Sequence, residues 1–244
     1  MIRVYGLRKQ FGRKQVLNGA NLEVGRGETH VILGRSGEGK SVLLKLICML
    51  MRPDRGHVEM NGRRLNPRRL RDLRRVRQTI QMVFQNAALF DSMTVAENVA
   101  FHAIEHGRTP RRRAVAFARP YLELVNMADS AHLMPAELSG GMRKRVALAR
   151  ALAAEPGIML YDEPTTGLDP LTGDVINQLI RKTQQRTGLT SMVVTHDLHS
   201  ARTVGDRFSF LHEGRIIQTD SLAGLMHSEH DIVRRFVAQQ TAVA

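Results

Sequence analysis

The sequence holds a single cysteine, Cys48, and no tryptophan. One thiol excludes a disulfide scaffold and a cysteine-rich zinc site. Eight phenylalanines and three tyrosines complete the aromatic set, which is thin for a protein that stacks single-stranded bases. Acids are in deficit: 36 Lys and Arg face 23 Asp and Glu, a formal charge of +13. Arginine carries nearly all of the excess and points to phosphate or anionic-surface partners. Long apolar runs are also missing. The longest, residues 42–51, is interrupted by Lys45, so no segment is expected to span a membrane. Met1-Ile2-Arg3-Val4-Tyr5 lacks the charged-then-apolar pattern of a secretory signal. A soluble intracellular protein is expected, free to dock on a membrane protein.

What is present suits a folded chain. The hydrophobic fraction is 43% and the charged fraction 24%, enough for a core and too little charge for wholesale disorder. The 244 residues suit one domain with a substantial insertion. Strand patterns at 16–24, Thr29–Leu33, 79–84, 158–161 and 191–195 alternate with helical patterns at 40–51, 140–154 and 171–186. The short apolar runs are of the buried parallel type, and the alternation predicts an α/β fold. Between Asn86 and Ala154 the strand signals stop. Residues 95–105 and 112–125 read as helices, with Pro110 and Pro120 as punctuation, which predicts a helical insertion. A weaker α/β rhythm runs from Arg207 onward. Residues 63–77 hold eight arginines against one acid, Asp72. That run reads either as a nucleic-acid or lipid-headgroup patch or as a solvated helix face.

Gly34-Arg35-Ser36-Gly37-Glu38-Gly39-Lys40-Ser41 fits G-x-x-x-x-G-K-[ST] between a predicted strand and a helix. Glycines let successive backbone N–H groups close on phosphate oxygens, and the helix N-terminus adds positive potential. Lys40 would neutralise the β- and γ-phosphates, and the Ser41 hydroxyl would bind Mg²⁺. Glu38 puts a negative charge inside the loop and is expected to turn away from the phosphates. Residues 158–161 lead into two adjacent acids. Alternation along a strand points them to opposite faces, freeing Asp162 to hold Mg²⁺ and Glu163 to polarise an attacking water. Gln85 and His196 each end a strand. Beside a nucleotide site they become candidates for a metal or water ligand and for a γ-phosphate contact.

Leu138-Ser139-Gly140-Gly141-Met142 opens a second glycine-rich helix, a second anion site. Taken in order with the phosphate loop, Gln85, Asp162-Glu163, Gly167-Leu168-Asp169 and His196, it resembles an ABC-type ATPase domain from Arg3 to Ala238. The resemblance implies a P-loop NTPase (RecA-like) α/β core with a parallel sheet, an antiparallel β subdomain and an inserted helical subdomain. One domain would fill 1–244: core at 1–85 and 155–218, helical subdomain at 86–154, C-terminal helical extension at 219–244. Two copies would pair head to tail around two ATP molecules, with Mg²⁺. Each phosphate loop, continued by Val42, would face the other copy's Ser139, Gly140, Gly141 and Met142. Phe11 would stack under the adenine, although a buried core position is the alternative for it. Asp169 would cross the interface, and residues after Gln85 would line a groove for a permease's cytoplasmic helix. Cys48 is expected to be a buried small hydrophobe.

Met142 stands where most members have Gln. With the segments 88–95, 133–137 and 161–170, it resembles the ATPase of Mla/Mce-type phospholipid transporters of Gram-negative envelopes. That resemblance implies a peripheral subunit on the cytoplasmic side of the inner membrane, serving a permease with a periplasmic lipid-binding subunit and a small cytoplasmic accessory protein. Accessory contacts are expected at 231–240. The alternatives are the ATPase of a small-solute, amino-acid-like importer, or a soluble ATPase acting on nucleic acid or ribosomes. The last is disfavoured because the chain holds one phosphate loop and only a modest insertion, so no nucleic-acid partner is expected.

Overall fold

A computed structural model describes residues 1–241. The chain opens with two long strands, β1 (Ile2–Phe11) and β2 (Lys14–Val24), followed by β3 (Thr29–Leu33) and helix α1 (Lys40–Ile47). Next come β4 (Arg55–Met60), β5 (Arg63–Arg64), α2 (Leu70–Thr79) and β6 (Ile80–Val83). Helices α3 (Val95–Glu105), α4 (Ala114–Leu124) and α5 (Gly140–Leu152) follow without an intervening strand. The chain then returns to alternation: β7 (Ile158–Asp162), α6 (Pro170–Thr187), β8 (Thr190–Thr195), α7 (Leu198–Val204), β9 (Arg207–His212) and β10 (Arg215–Asp220). Helices α8 (Leu222–Met226) and α9 (Asp231–Thr241) end the described chain. The last three residues of the expected extension 219–244 lie outside it.

Two sheets result. One is antiparallel in the order β2-β1-β4-β5; the other has the order β10-β9-β3-β8-β7-β6. In the second, β6, β7, β8, β3 and β9 run parallel and β10 closes the edge antiparallel to β9. Its inner strands are buried on both faces, and side-chain alternation sends each residue to one of two cores. Val31 and Leu33 of β3, Met159 and Tyr161 of β7, and Val193 of β8 pack with the helices α3 to α7 and with α9. Ile32, Leu160, Met192 and Val194 pack on the other side with α1 and the antiparallel sheet. Because the strands are parallel, β3, β6, β7 and β8 all finish at one edge, the usual ligand edge of an open α/β sheet.

Several boundaries differ from the sequence pattern. The helix expected over 40–51 ends at Ile47, because Met49 turns left-handed at φ 57°. Cys48, expected to be a buried small hydrophobe, is mostly buried at that helix end, packed against the core around α1, and burial pushes its thiol pKa up. The strand expected from 79 begins at Ile80, since Thr79 completes α2. The helix expected over 112–125 is a short turn, Arg111–Arg113, followed by α4. Pro120 does not punctuate it but sits inside α4, on the exposed side, where a missing N–H and a displaced carbonyl can be solvated. Strands β1 and β4 escape the pattern reading although Ile2-Arg3-Val4 and Val58-Glu59-Met60 alternate; the alternation in β1 breaks after Val4, where its register shifts, and only the second half of β4 follows it.

Candidate functional site

The loop between β3 and α1 carries the candidate residues Gly34, Arg35, Ser36, Gly37, Glu38 and Gly39 before Lys40, Ser41 and Val42 start the helix. Gly39 has φ 98° and abuts the antiparallel sheet, where an added Cβ would meet Val16 Cγ1 at 2.8 Å and Val16 O at 3.0 Å. No other residue fits that conformation and that approach. The Glu38 carboxylate faces the β9–β10 turn: Oε2 accepts from the Glu213 N–H at 2.7 Å, and Oε1 lies 3.1 Å from His212 Nδ1. The loop's one acid is thereby directed at the hairpin.

Lys40 is 5% exposed. Its Nζ donates to Gly34 O at 2.8 Å and Arg35 O at 3.1 Å, and lies 3.3 Å from Glu163 Oε1. The Ser41 hydroxyl donates to Asp162 Oδ1 at 2.6 Å. Burial raises the Asp162 pKa above the usual carboxylate range, against the opposing Ser41 hydrogen bond. The two acids diverge as expected, but not by strand alternation. Glu163 has already left β7 and sits left-handed at φ 48°, a conformation costing a non-glycine residue about 1–2 kcal/mol. Its N–H donates to Val194 O at 3.0 Å, which holds the turn against β8. Strain of this kind collects at functional sites. Glu163 Oε2 accepts from the Thr166 hydroxyl at 3.0 Å and lies 2.9 Å from His196 Nδ1.

Lys40, Ser41, Asp162, Glu163 and His196 therefore meet at one sheet edge. Gln85 ends at the same edge, two residues past β6, but is exposed and makes no hydrogen bond to the cluster among the described residues. Phe11, at the end of β1, is 44% exposed with Lys9 Nζ 5.4 Å from its ring centroid, so it is not a core residue. Ser139 caps α5, its Oγ accepting from the Met142 N–H at 3.2 Å. A Cβ on Gly141 would run into the Thr172 methyl of α6. Ser139, Gly140, Gly141 and Met142 make no hydrogen bond to the phosphate loop among the described residues. Asp169 caps α6 by accepting from the Thr172 N–H at 3.0 Å; the Thr172 side chain, and after it this N–H, hold its carboxyl pKa low.

Three residues matter that pattern reading passed over. Lys144 is buried, and its Nζ donates to Thr166 O at 2.7 Å and Glu163 O at 3.4 Å, so α5 grips the strained turn after β7. Desolvation lowers its pKa. The available signal was spacing: Lys144 shares a helix face with the buried Gly141 and Leu148. Thr166 orients Glu163. Arg150 donates to Ala88 O at 2.6 Å and Ala87 O at 2.9 Å, pinning a loop whose residues 87 and 88 have φ 60° and 50°. That loop borders a cleft of about 740 Å³ with Ile80, Met82 and Phe84 on its floor and Arg74, Arg77 and Phe90 around it.

A strand–loop–helix phosphate cradle after β3, with a pair of acids at the end of parallel strand β7 across the intervening β8, defines a P-loop ATPase. The sequence pattern of the ABC transporter family matches residues 17–166, more than half of the chain. The glutamine transport ATP-binding protein GlnQ of Bacillus subtilis is 41% identical over 89% of this chain and 89% of its own length. The methionine import ATP-binding protein MetN 2 of Rhodopseudomonas palustris is 42% identical over 89% of this chain, which spans 58% of that longer protein. Among solved structures, the dimeric bacterial ABC transporter cassette MJ0796 superposes with a TM-score of 0.82 at 35% identity, covering 91% of this chain and 99% of that one. The chain belongs to the ABC transporter family. It is an ATP-hydrolysing transporter subunit with the ABC ATPase fold. Among the described residues no helix is long and apolar enough to cross a membrane.

Proposed function

We propose that this subunit hydrolyses ATP between two copies of itself and uses the closing and opening of that pair to drive a membrane permease. The observation that carries the reading is the meeting of Lys40, Ser41, Asp162, Glu163 and His196 at one sheet edge, while Ser139 to Met142 stand apart from the phosphate loop of their own chain. A site built from the loop of one copy and the α5 N-terminus of the other completes it. The dimeric form of the related MJ0796 cassette supports the pairing. Asp169, exposed at the start of α6 beside Gly141, would lie at that interface.

The loop backbone N–H groups from Gly34 to Ser41 take the phosphates, with Arg35, Ser36, Gly37 and Val42 bordering them and Phe11 stacking on the adenine. Lys40 exchanges its loop carbonyls for β- and γ-phosphate oxygens. Glu163 accepts a proton from water as the water oxygen attacks the γ-phosphorus and the bond to the β,γ-bridging oxygen breaks. His196 donates to the γ-phosphate and steadies Glu163. Ser41, Asp162 and Gln85 form a hard-oxygen set, and Asp162 is buried, where its carboxylate gains from a counter-charge. That suits Mg²⁺, which takes one or two protein oxygens and keeps water and phosphate for the rest. When bound, the ion neutralises phosphate charge. Closure on ATP and reopening after hydrolysis do work only if the two states differ in ATP affinity.

The permease's cytoplasmic segment takes the cleft beside Phe84 and Phe90. For the cargo, the named relatives support an amino-acid-like solute: GlnQ is described for glutamine transport and MetN 2 for methionine import. The phospholipid reading drawn from Met142 and its neighbouring segments has no such support from them, so the small-solute importer is the assignment made here. Purification of the tagged chain from detergent-solubilised native membranes, with protein and lipid mass spectrometry, tests both levels. A stoichiometric permease with a solute-binding protein is expected. Co-purifying phospholipid with a lipid-binding periplasmic subunit would overturn the cargo. Recovery with ribosomes or nucleic acid alone would overturn the transporter role.

A further inference from the structure

Helix α2 turns to solvent a face that carries no acid. At 3.6 residues per turn, Leu70, Arg71, Arg74, Arg77 and Gln78 share one side, and all are exposed. Asp72 and Val76 take the opposite side and are 2% and 1% exposed. Arg68 and Arg69, also exposed, extend the basic face just ahead of the helix. The acid of this stretch is spent inside: Asp72 accepts from Arg63 at 3.2 Å and from the Asn66 N–H at 3.1 Å. Among the described residues no carboxylate forms an ion pair with any of the other seven arginines of the run. Elsewhere exposed arginines do find acids, as in Arg111–Glu97 at 2.6 Å and Arg119–Glu123 at 3.1 Å. A face that served only solubility would mix its signs. Amid the arginines Leu70 is 58% exposed.

We propose that this face rests on the anionic headgroups of a phospholipid bilayer, with Leu70 entering the headgroup layer. Arginines clustered around an exposed leucine are what an anionic interface attracts and holds. Arg74 and Arg77 also rim the cleft assigned above to the permease, so the basic face continues the side of the subunit turned toward the membrane. The inference rests on that reading for its orientation. A nucleic-acid backbone explains the charge but not Leu70, and residues 63–77 contain no aromatic side chain to stack on bases.

The test is sedimentation of the purified full chain with phosphatidylcholine vesicles, with and without phosphatidylglycerol. Binding is expected only to the anionic vesicles and should weaken as salt is raised. Replacing Arg68, Arg69 and Arg71 together by Gln should lower partitioning on the order of a hundredfold, while the triple Lys variant keeps most of it. None of the three lines the cleft or the phosphate site, so ATP hydrolysis and melting temperature should stay at wild-type values in both variants. Failure of the wild-type chain to bind, equal binding by the Gln variant, or displacement from vesicles by duplex DNA at matched salt would each overturn the proposal. Wild-type binding to anionic vesicles by a chain that recovers no permease from native membranes would instead count against the transport reading and leave the headgroup contact standing.

Discussion

His196 Nδ1 stands 2.9 Å from Glu163 Oε2 although the two residues leave different strands. The β7–β8 register, which pairs Asp162 with Val194, brings both strand ends to one level. The left-handed turn at Glu163 then swings its carboxylate away from Asp162 toward the imidazole and Lys40. The two groups are thereby brought together just beyond the ends of the paired strands β7 and β8.

Replacement of Glu163 by Gln preserves shape and an acceptor for Thr166 but removes the proton acceptor. Steady-state ATP hydrolysis should fall about 10²–10⁴-fold, with ATP affinity by equilibrium titration little changed. Turnover near wild type would remove Glu163 from the chemistry.

Ser139 is exposed and bonded only to its own helix, so a bulky replacement such as Ser139→Arg should spare the nucleotide affinity of the monomer. It should abolish turnover and ATP-induced dimers in size-exclusion chromatography. An equal loss of monomer affinity would show that the α5 N-terminus serves its own chain's nucleotide.

Asn98 is fully buried and closes the loop ahead of α3. Its Oδ1 accepts from the Phe90 N–H at 2.8 Å, and its Nδ2 donates to the carbonyls of Phe90, Met93 and Thr94 at 3.0–3.1 Å. Asn98→Ala should destabilise the protein by about 2–4 kcal/mol, read from denaturant unfolding. Asn98→Asp should be worse, because a carboxylate would face three carbonyl oxygens.

His30 is fully buried on β3, with Nε2 2.8 Å from Ser209 Oγ. Desolvation lowers its pKa below the ordinary 6.5, outweighing the hydrogen bond to Glu28. The unfolded chain therefore binds the proton more readily than the folded one. The stability this neutral ring contributes is complete above about pH 6.5 and is lost as pH falls toward the depressed folded-state value. Melting temperature should drop across that window, and His30→Gln should flatten the slope.

The phosphate loop and the Asp162-Glu163 pair were legible because their chemistry demands particular residues at fixed spacing along the chain. Lys144 and Arg150 were not, since a basic residue on a helix normally points to water. Their partners are backbone carbonyls in distant segments, which carry no side-chain signature. The parallel strands could be read from their unbroken apolar runs, whereas β1, whose alternation breaks at register shifts after Val4 and Leu7, was harder to read. The divergence of the two acids was anticipated with the wrong cause. Alternation was invoked where the backbone turns left-handed, a turn held by Thr166 within it and by tertiary contacts with Val194 and Lys144.

The position of β3 has a consequence for synthesis. It is translated long before β8 and β9, the two strands it lies between. The acid of its following loop is tied to His212 and Glu213, later still. A nascent chain on the ribosome thus carries the cradle's sequence long before the walls that shape it. Nucleotide capture must await synthesis of β8 and β9, and products truncated before them should be unable to consume ATP.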